Sequence, residues 1–151
     1  ETYYINTNQT FTYDADAGTV TATYGNATPK AHADTLWTAQ DETDGKGTEG
    51  EVATRGLKYN FIKTIKAQAA GILQDTDWYI LRKADADTDV PSAITTFRAA
   101  VRTKAAAMET LITNASNTAA IETLYTYVNT ADEGDPVVMA RPLGEFPELG
   151  S

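Results

Sequence analysis

Cysteine is missing from this 151-residue chain, histidine occurs once and proline only five times. Without cysteine there is no disulfide and no thiolate metal site. The single histidine, His32, lies in polar sequence and has no second imidazole or thiol with which to share a metal or build the usual nucleophile and base pair. Positive charge is also scarce, since 12 Lys and Arg stand against 21 Asp and Glu for a net charge of −9. That field opposes phosphate backbones, so no nucleic-acid partner is expected. No run of about 18 apolar residues occurs, and the opening ETYYINTNQT lacks the basic and apolar regions of a signal peptide, so no membrane partner is expected and the chain reads as soluble. Gly45-Lys46-Gly47 has neither the spacing nor the preceding strand of a phosphate loop, and no internal repeat is present. Enzyme activity and a cofactor are not expected.

What is present suggests an α+β protein that is mostly α. Gln9–Tyr13 alternates threonine with Phe11 and Tyr13, Asp14 to Gly18 is a turn signal, and Thr19–Tyr24 alternates again, which predicts a β-hairpin arm over residues 1–27. A lone hairpin is marginal, so it must pack on the helices, pair with a strand such as Tyr3–Asn6, or add to a neighbour's sheet. Residues 28–53 turn polar and lose periodicity, reading as an acidic linker around Asp41 to Gly47. Within it Leu36-Trp37 is an apolar pair costly to leave in water; Trp37 plugging into the chain's own core is the plainer reading, and an interface anchor the alternative.

A helical domain of three helices is predicted over 54–130. Leu57, Phe61, Ile65, Ala69 and Ile72 recur at three or four residues in a first helix ending near Gln74, and Asp75-Thr76-Asp77 interrupts it, with Thr76 able to cap a new turn. Trp78, with Leu81 and Ile80, is expected to face inward, Trp78 between the first and longest helices. Pro91 opens the longest helix, whose apolar stripe includes Ile94, Phe97, Val101, Ala105, Met108, Leu111 and Ile112. Trp78, Phe61, Phe97 and Val101 are thus the expected core anchors. After Ser116 or Asn117 as a cap, a short third helix carries Ile121, Leu124, Tyr125 and Val128. Residues 131–151 are broken by prolines and read as an extended tail, whose Leu143, Phe146 and Leu149 must lie along something, a neighbour being favoured over the chain's own helices.

Asp85, Asp87 and Asp89 alternate like the opening of a calcium loop, but Val90 stands where glycine is needed and Thr96 where glutamate is needed, so a solvated loop is the better reading. Arg98, Arg102 and Lys104, with Arg82-Lys83 just before the acidic loop, read as a solvated helix face, the alternative being salt bridges with acidic residues here or in a partner. The sequons at Asn8, Asn26 and Asn114 fit chance in a threonine-rich chain.

Thr76-Asp77-Trp78, the acidic loop with Val90-Pro91, Arg98-Ala99-Ala100-Val101-Arg102 and the ending Arg141-Pro142-Leu143-Gly144-Glu145-Phe146-Pro147 together resemble the phage tail fibre assembly chaperone family and related small phage tail proteins of marine phage type. The resemblance spans roughly Gly56 to Leu149. It implies phage origin, a place in the virion after synthesis in the host cytoplasm, and no cofactor. Expected partners are other phage structural proteins or copies of the chain in a symmetric assembly. Three roles are then open: a structural component of tail, baseplate or fibre; a dissociable assembly chaperone; and a glycan or receptor binder using Tyr3, Tyr4 and Trp37. Candidate interface residues are Tyr3, Tyr4, Phe11, Tyr13, Trp37, Leu143, Phe146 and Leu149.

Overall fold

A computed structural model describes residues 2–150 as an α+β chain, mostly helical, that divides into two compact units, Glu1–Leu57 and Lys58–Ser151. In the first unit β1 (Tyr4–Ile5) pairs antiparallel with β4 (Thr28–Pro29), and β2 (Thr10–Asp14) with β3 (Thr19–Thr23). The two ladders lie on one long ribbon. Tyr4 faces Pro29, the Gly25 amide donates to the Thr7 carbonyl, and Thr10 faces Thr23. Asn8, at a positive φ of 56°, interrupts the ladder between them. The first strand is therefore the base of the hairpin rather than a third strand beside it. At the tip Asp14 Oδ1 accepts from the amides of Asp16 and Ala17, and Gly18 takes the positive φ that closes the turn.

Residues 28–53 are not an unstructured linker. β5 (Thr35–Leu36) pairs with β6 (Val52–Thr54), and between them lies α1 (Ala39–Thr43), closed by a capping box in which Thr38 and Asp41 bond each other's backbone amides. The acidic run that suggested mobility supplies the capping carboxylate and the partner of Lys46.

The second unit carries four helices, where three were expected. They are α2 (Leu57–Gln74), which starts at the unit boundary, α3 (Asp77–Ala86), α4 (Ser92–Asn114) and α5 (Thr118–Tyr125). The longest, α4, buries Ile94, Arg98, Val101, Ala105, Met108 and Ile112, a spacing of alternating four and three that places one narrow seam against its neighbours. Ile65 and Ala69 of α2 meet that seam, with Phe61 and Phe97 partly buried against it. Asn117 is the residue that caps α5, its side chain accepting from the Ala120 amide.

Two expectations fail here. Trp78 is not a core anchor: it is 48 % exposed, Ile80 and Leu81 are exposed too, and α3 buries none of its residues. The C-terminal segment is not an extended tail, because β7 (Val128–Asn129) and β8 (Met139–Ala140) form a hairpin around the Asp132 to Pro136 turn. It then folds back, with the Leu143 amide donating to the Leu124 carbonyl and the Leu143 side chain fully buried in the helical core.

Candidate interaction surfaces

The ribbon sorts its side chains by the strand period. Directly paired residues project to the same side, so Phe11 with Ala22 and Tyr13 with Val20 make one apolar face, while Thr10, Thr12, Thr21 and Thr23 line the other. Thr10 and Thr23 hydroxyls bond each other at 2.7 Å across the polar face. The apolar face is uncovered: Phe11 is 67 % exposed, Tyr13 66 % and Val20 63 %. Among the described residues this pair of strands has no further strand at either edge. The interface candidates Phe11 and Tyr13 therefore stand together on one surface. Tyr3 and Tyr4, at the ribbon's base, are half-buried.

Trp37 is placed differently. It is half-buried, its amide donates to the Glu51 carbonyl, its carbonyl accepts from the Gly50 amide, and its indole lies so close to Gly47 that a β-carbon there would overlap the ring. The tryptophan holds the α1 excursion shut instead of offering an anchor. Nearby, Asp34 accepts from the Gly56 amide at 2.8 Å and pairs with Arg55; the backbone bond first and Arg55 second hold its carboxyl below the usual range. Asp41 is lowered to about 2, chiefly by the Thr38 hydroxyl and then by Lys46. These are structural clasps on half-buried carboxylates.

In the second unit, a polar clamp joins α2 to α3. Arg98 is buried. Its Nη1 donates to the Leu73 carbonyl at 2.8 Å and the Thr76 hydroxyl at 2.6 Å, and its Nη2 meets Asp77 at 2.8 Å. Thr76, itself buried, donates to the Leu73 carbonyl instead of capping α3. A solvated face was the favoured expectation for Arg98 and a salt bridge the alternative; the pairing with Asp77 fits the alternative, and the burial was legible, since Arg98 falls four residues after Ile94 and three before Val101, on the stripe itself. The long stem of arginine fills the seam while the guanidinium satisfies the carbonyl at the end of α2.

On α3, Trp78 and Tyr79 rings lie 3.9 Å apart at the centroids, and the Arg82 guanidinium sits 4.8 Å over Trp78. Leu81 beside them is 68 % exposed. Lys83 bridges Asp87 and Asp89, which raises its pKa, so two of the three carboxylates of the calcium-like run already hold an ammonium group. Among the described residues no cluster of three or more His, Asp or Glu side chains could hold a metal ion.

The C-terminal segment contributes the third surface. Leu143 is buried and Phe146 packs partly against the core, so these two candidates belong to the chain's own interior, against the expectation of a neighbour; Leu149 stays exposed. The reason is the turn at Arg141 to Gly144, where the Gly144 amide returns to the Arg141 carbonyl and Gly144 takes a φ of 73°, swinging Leu143 into the core. Arg141 pairs with Glu145 at 2.7 Å and lies over the rings of Tyr125 and Tyr127. Burial raises the Glu145 pKa, but the Tyr127 hydroxyl and Arg141 together outweigh it and keep the carboxylate ionised. Between this segment, the end of α2 and α4 runs an open cleft of about 780 Å³, with Ile72, Phe97, Phe146 and Leu149 as apolar lining and Asp75, Arg141, Glu145 and Glu148 as charged lining.

Among the described residues no helix is long and apolar enough to cross a membrane. No protein-family model, curated protein sequence or solved structure matches the chain.

Proposed function

We propose that this chain is a non-enzymatic structural protein of a phage virion, of tail, baseplate or fibre type, that works by packing against other virion proteins or copies of itself. The observation that carries the reading is the ribbon, which sets Phe11, Tyr13 and Val20 side by side on one exposed face. Each side chain of this size left in water forgoes about 1.5–3 kcal/mol of burial, and an isolated two-stranded ribbon is marginal by itself. Such a face fits assembly with a partner. The resemblance of the Thr76-Asp77-Trp78 segment and of the Arg98 to Arg102 helix to small phage tail proteins supplies the phage context. Localisation in the virion follows from the same reading.

Quantitative mass spectrometry of purified particles tests it. Near-stoichiometric presence is expected, together with loss of incorporation when residues up to Ala27 are removed while helical circular dichroism is kept. Absence from particles, with the chain found bound to a fibre protein in the host cytoplasm, would replace the structural role by that of a dissociable assembly chaperone. Specific binding to a glycan array would point to a receptor-binding component.

A further inference from the structure

We infer that the helical unit forms a reciprocal dimer in which α3 of each copy lies in the cleft of the other. This goes beyond the virion reading and uses neither the ribbon nor any phage partner. The first observation is that α3 buries nothing of its own, although Trp78, Leu81 and Arg82 fall at the three- and four-residue spacing that puts them on one helix face. An amphipathic helix presenting such a face is the form that docks in apolar grooves.

The second observation is the cleft. Its volume of about 780 Å³ and the apolar part of its lining, Ile72, Phe97, Phe146 and Leu149, suit large apolar side chains such as Trp78 and Leu81, and its charged lining is Asp75, Glu145 and Glu148 against one cation, Arg141. Charge decides the occupant. Among the described residues Asp75 in the cleft lining has no cation paired with it, whereas Arg141 there is paired with Glu145, and Arg82 on α3 has no carboxylate, its guanidinium lying over Trp78 and Tyr79. One copy thus offers the carboxylate that the other's arginine needs, and a second copy supplies both the apolar face and the charge.

Adjacency decides the closure. Asp75 and Thr76 of the cleft lead directly into Asp77, the first residue of α3, so groove and helix are adjacent along the chain. Two such surfaces can exchange about a two-fold axis, with each contact made twice. Reciprocity also makes each contact twice, which doubles the area that one short helix can bury, and a stable interface needs about 1,000 Å² or more.

Sedimentation velocity of the full chain over a concentration series is the test, with helical circular dichroism as the control for folding. A monomer–dimer equilibrium is expected. Leu81→Asp, at an exposed position, should abolish the dimer with the fold intact. Arg82→Glu should weaken it by about tenfold or more, and combining it with Asp75→Arg should restore much of the loss. Phe11→Ser on the ribbon should leave the dimer unchanged. The proposal is overturned if the chain stays monomeric at its solubility limit, if the Phe11→Ser chain grows into open polymers, if the dimer survives Leu81→Asp, or if Phe11→Ser dissolves it.

Discussion

Replacing Arg98 with alanine would remove the two hydrogen bonds that its guanidinium makes to the Leu73 carbonyl and the Thr76 hydroxyl, at 2.8 and 2.6 Å. Bonds from a charged donor contribute about 1.5–3 kcal/mol each. The contact with Asp77 adds little, because that carboxylate is more than half exposed. Thr76 would keep donating to the Leu73 carbonyl at 2.9 Å, so part of the loss is offset. The lost stem of the side chain leaves a gap in the α4 seam, which works the other way. A net loss of about 3 kcal/mol follows, a large fraction of the 5–15 kcal/mol typical of a domain. With a urea slope of about 2 kcal/mol per molar, the unfolding midpoint should fall by about 1.5 M. The damage has a location as well. Since α3 buries no side chain, the clamp at its first turn is what ties it to the end of α2, and hydrogen exchange should show α3 amides losing protection before those of α4. Arg98→Met, which keeps the stem and removes the donors, should recover the packing part alone. A midpoint within about 0.3 M of the parent for Arg98→Ala, or uniform loss of protection through all four helices, would refute the clamp.

Two further outcomes can be checked on the same material. Leu143→Ala, at a fully buried site, should cost about 2–5 kcal/mol, whereas Trp78→Ala should cost under about 1 kcal/mol in dilute monomer; urea titrations that reversed this order would place the core elsewhere. Asp41 has a folded-state pKa of about 2 against an ordinary 3.8, so its contribution to the α1 capping box should be complete well above pH 3.8 and should be lost progressively as pH falls from about 3.8 through about 2, because in that window the unfolded state binds the proton more readily than the folded one. Carboxyl-carbon NMR would record the titration, and an Asp41 midpoint near the ordinary value would remove the capping box from solution.

Periodicity alone located the ribbon, the first and longest helices and the short helix after Asn117, because each depends on neighbours within one turn or one strand pair. The α4 stripe from Ile94 to Ile112 even contained Arg98, although its charge argued for solvent, and only the position of the Leu73 carbonyl across the junction gives that charge a reason to be inside. Trp78 shows the converse. Its size argued for the core, but after Gln74 the chain turns, and the clamp at Thr76 fixes α3 in an orientation that leaves the indole outside. Residues 28–53 carried the composition of a linker because their order rests on strand pairing and on Asp34 and Trp37 contacts reaching 10 to 22 residues along the chain. Leu143 likewise became core only when the hairpin of β7 and β8 brought it back to Leu124. Local spacing fixes which elements form; contacts distant in sequence decide which of their faces meet water, since burial is a property of what lies opposite a side chain and not of the side chain itself.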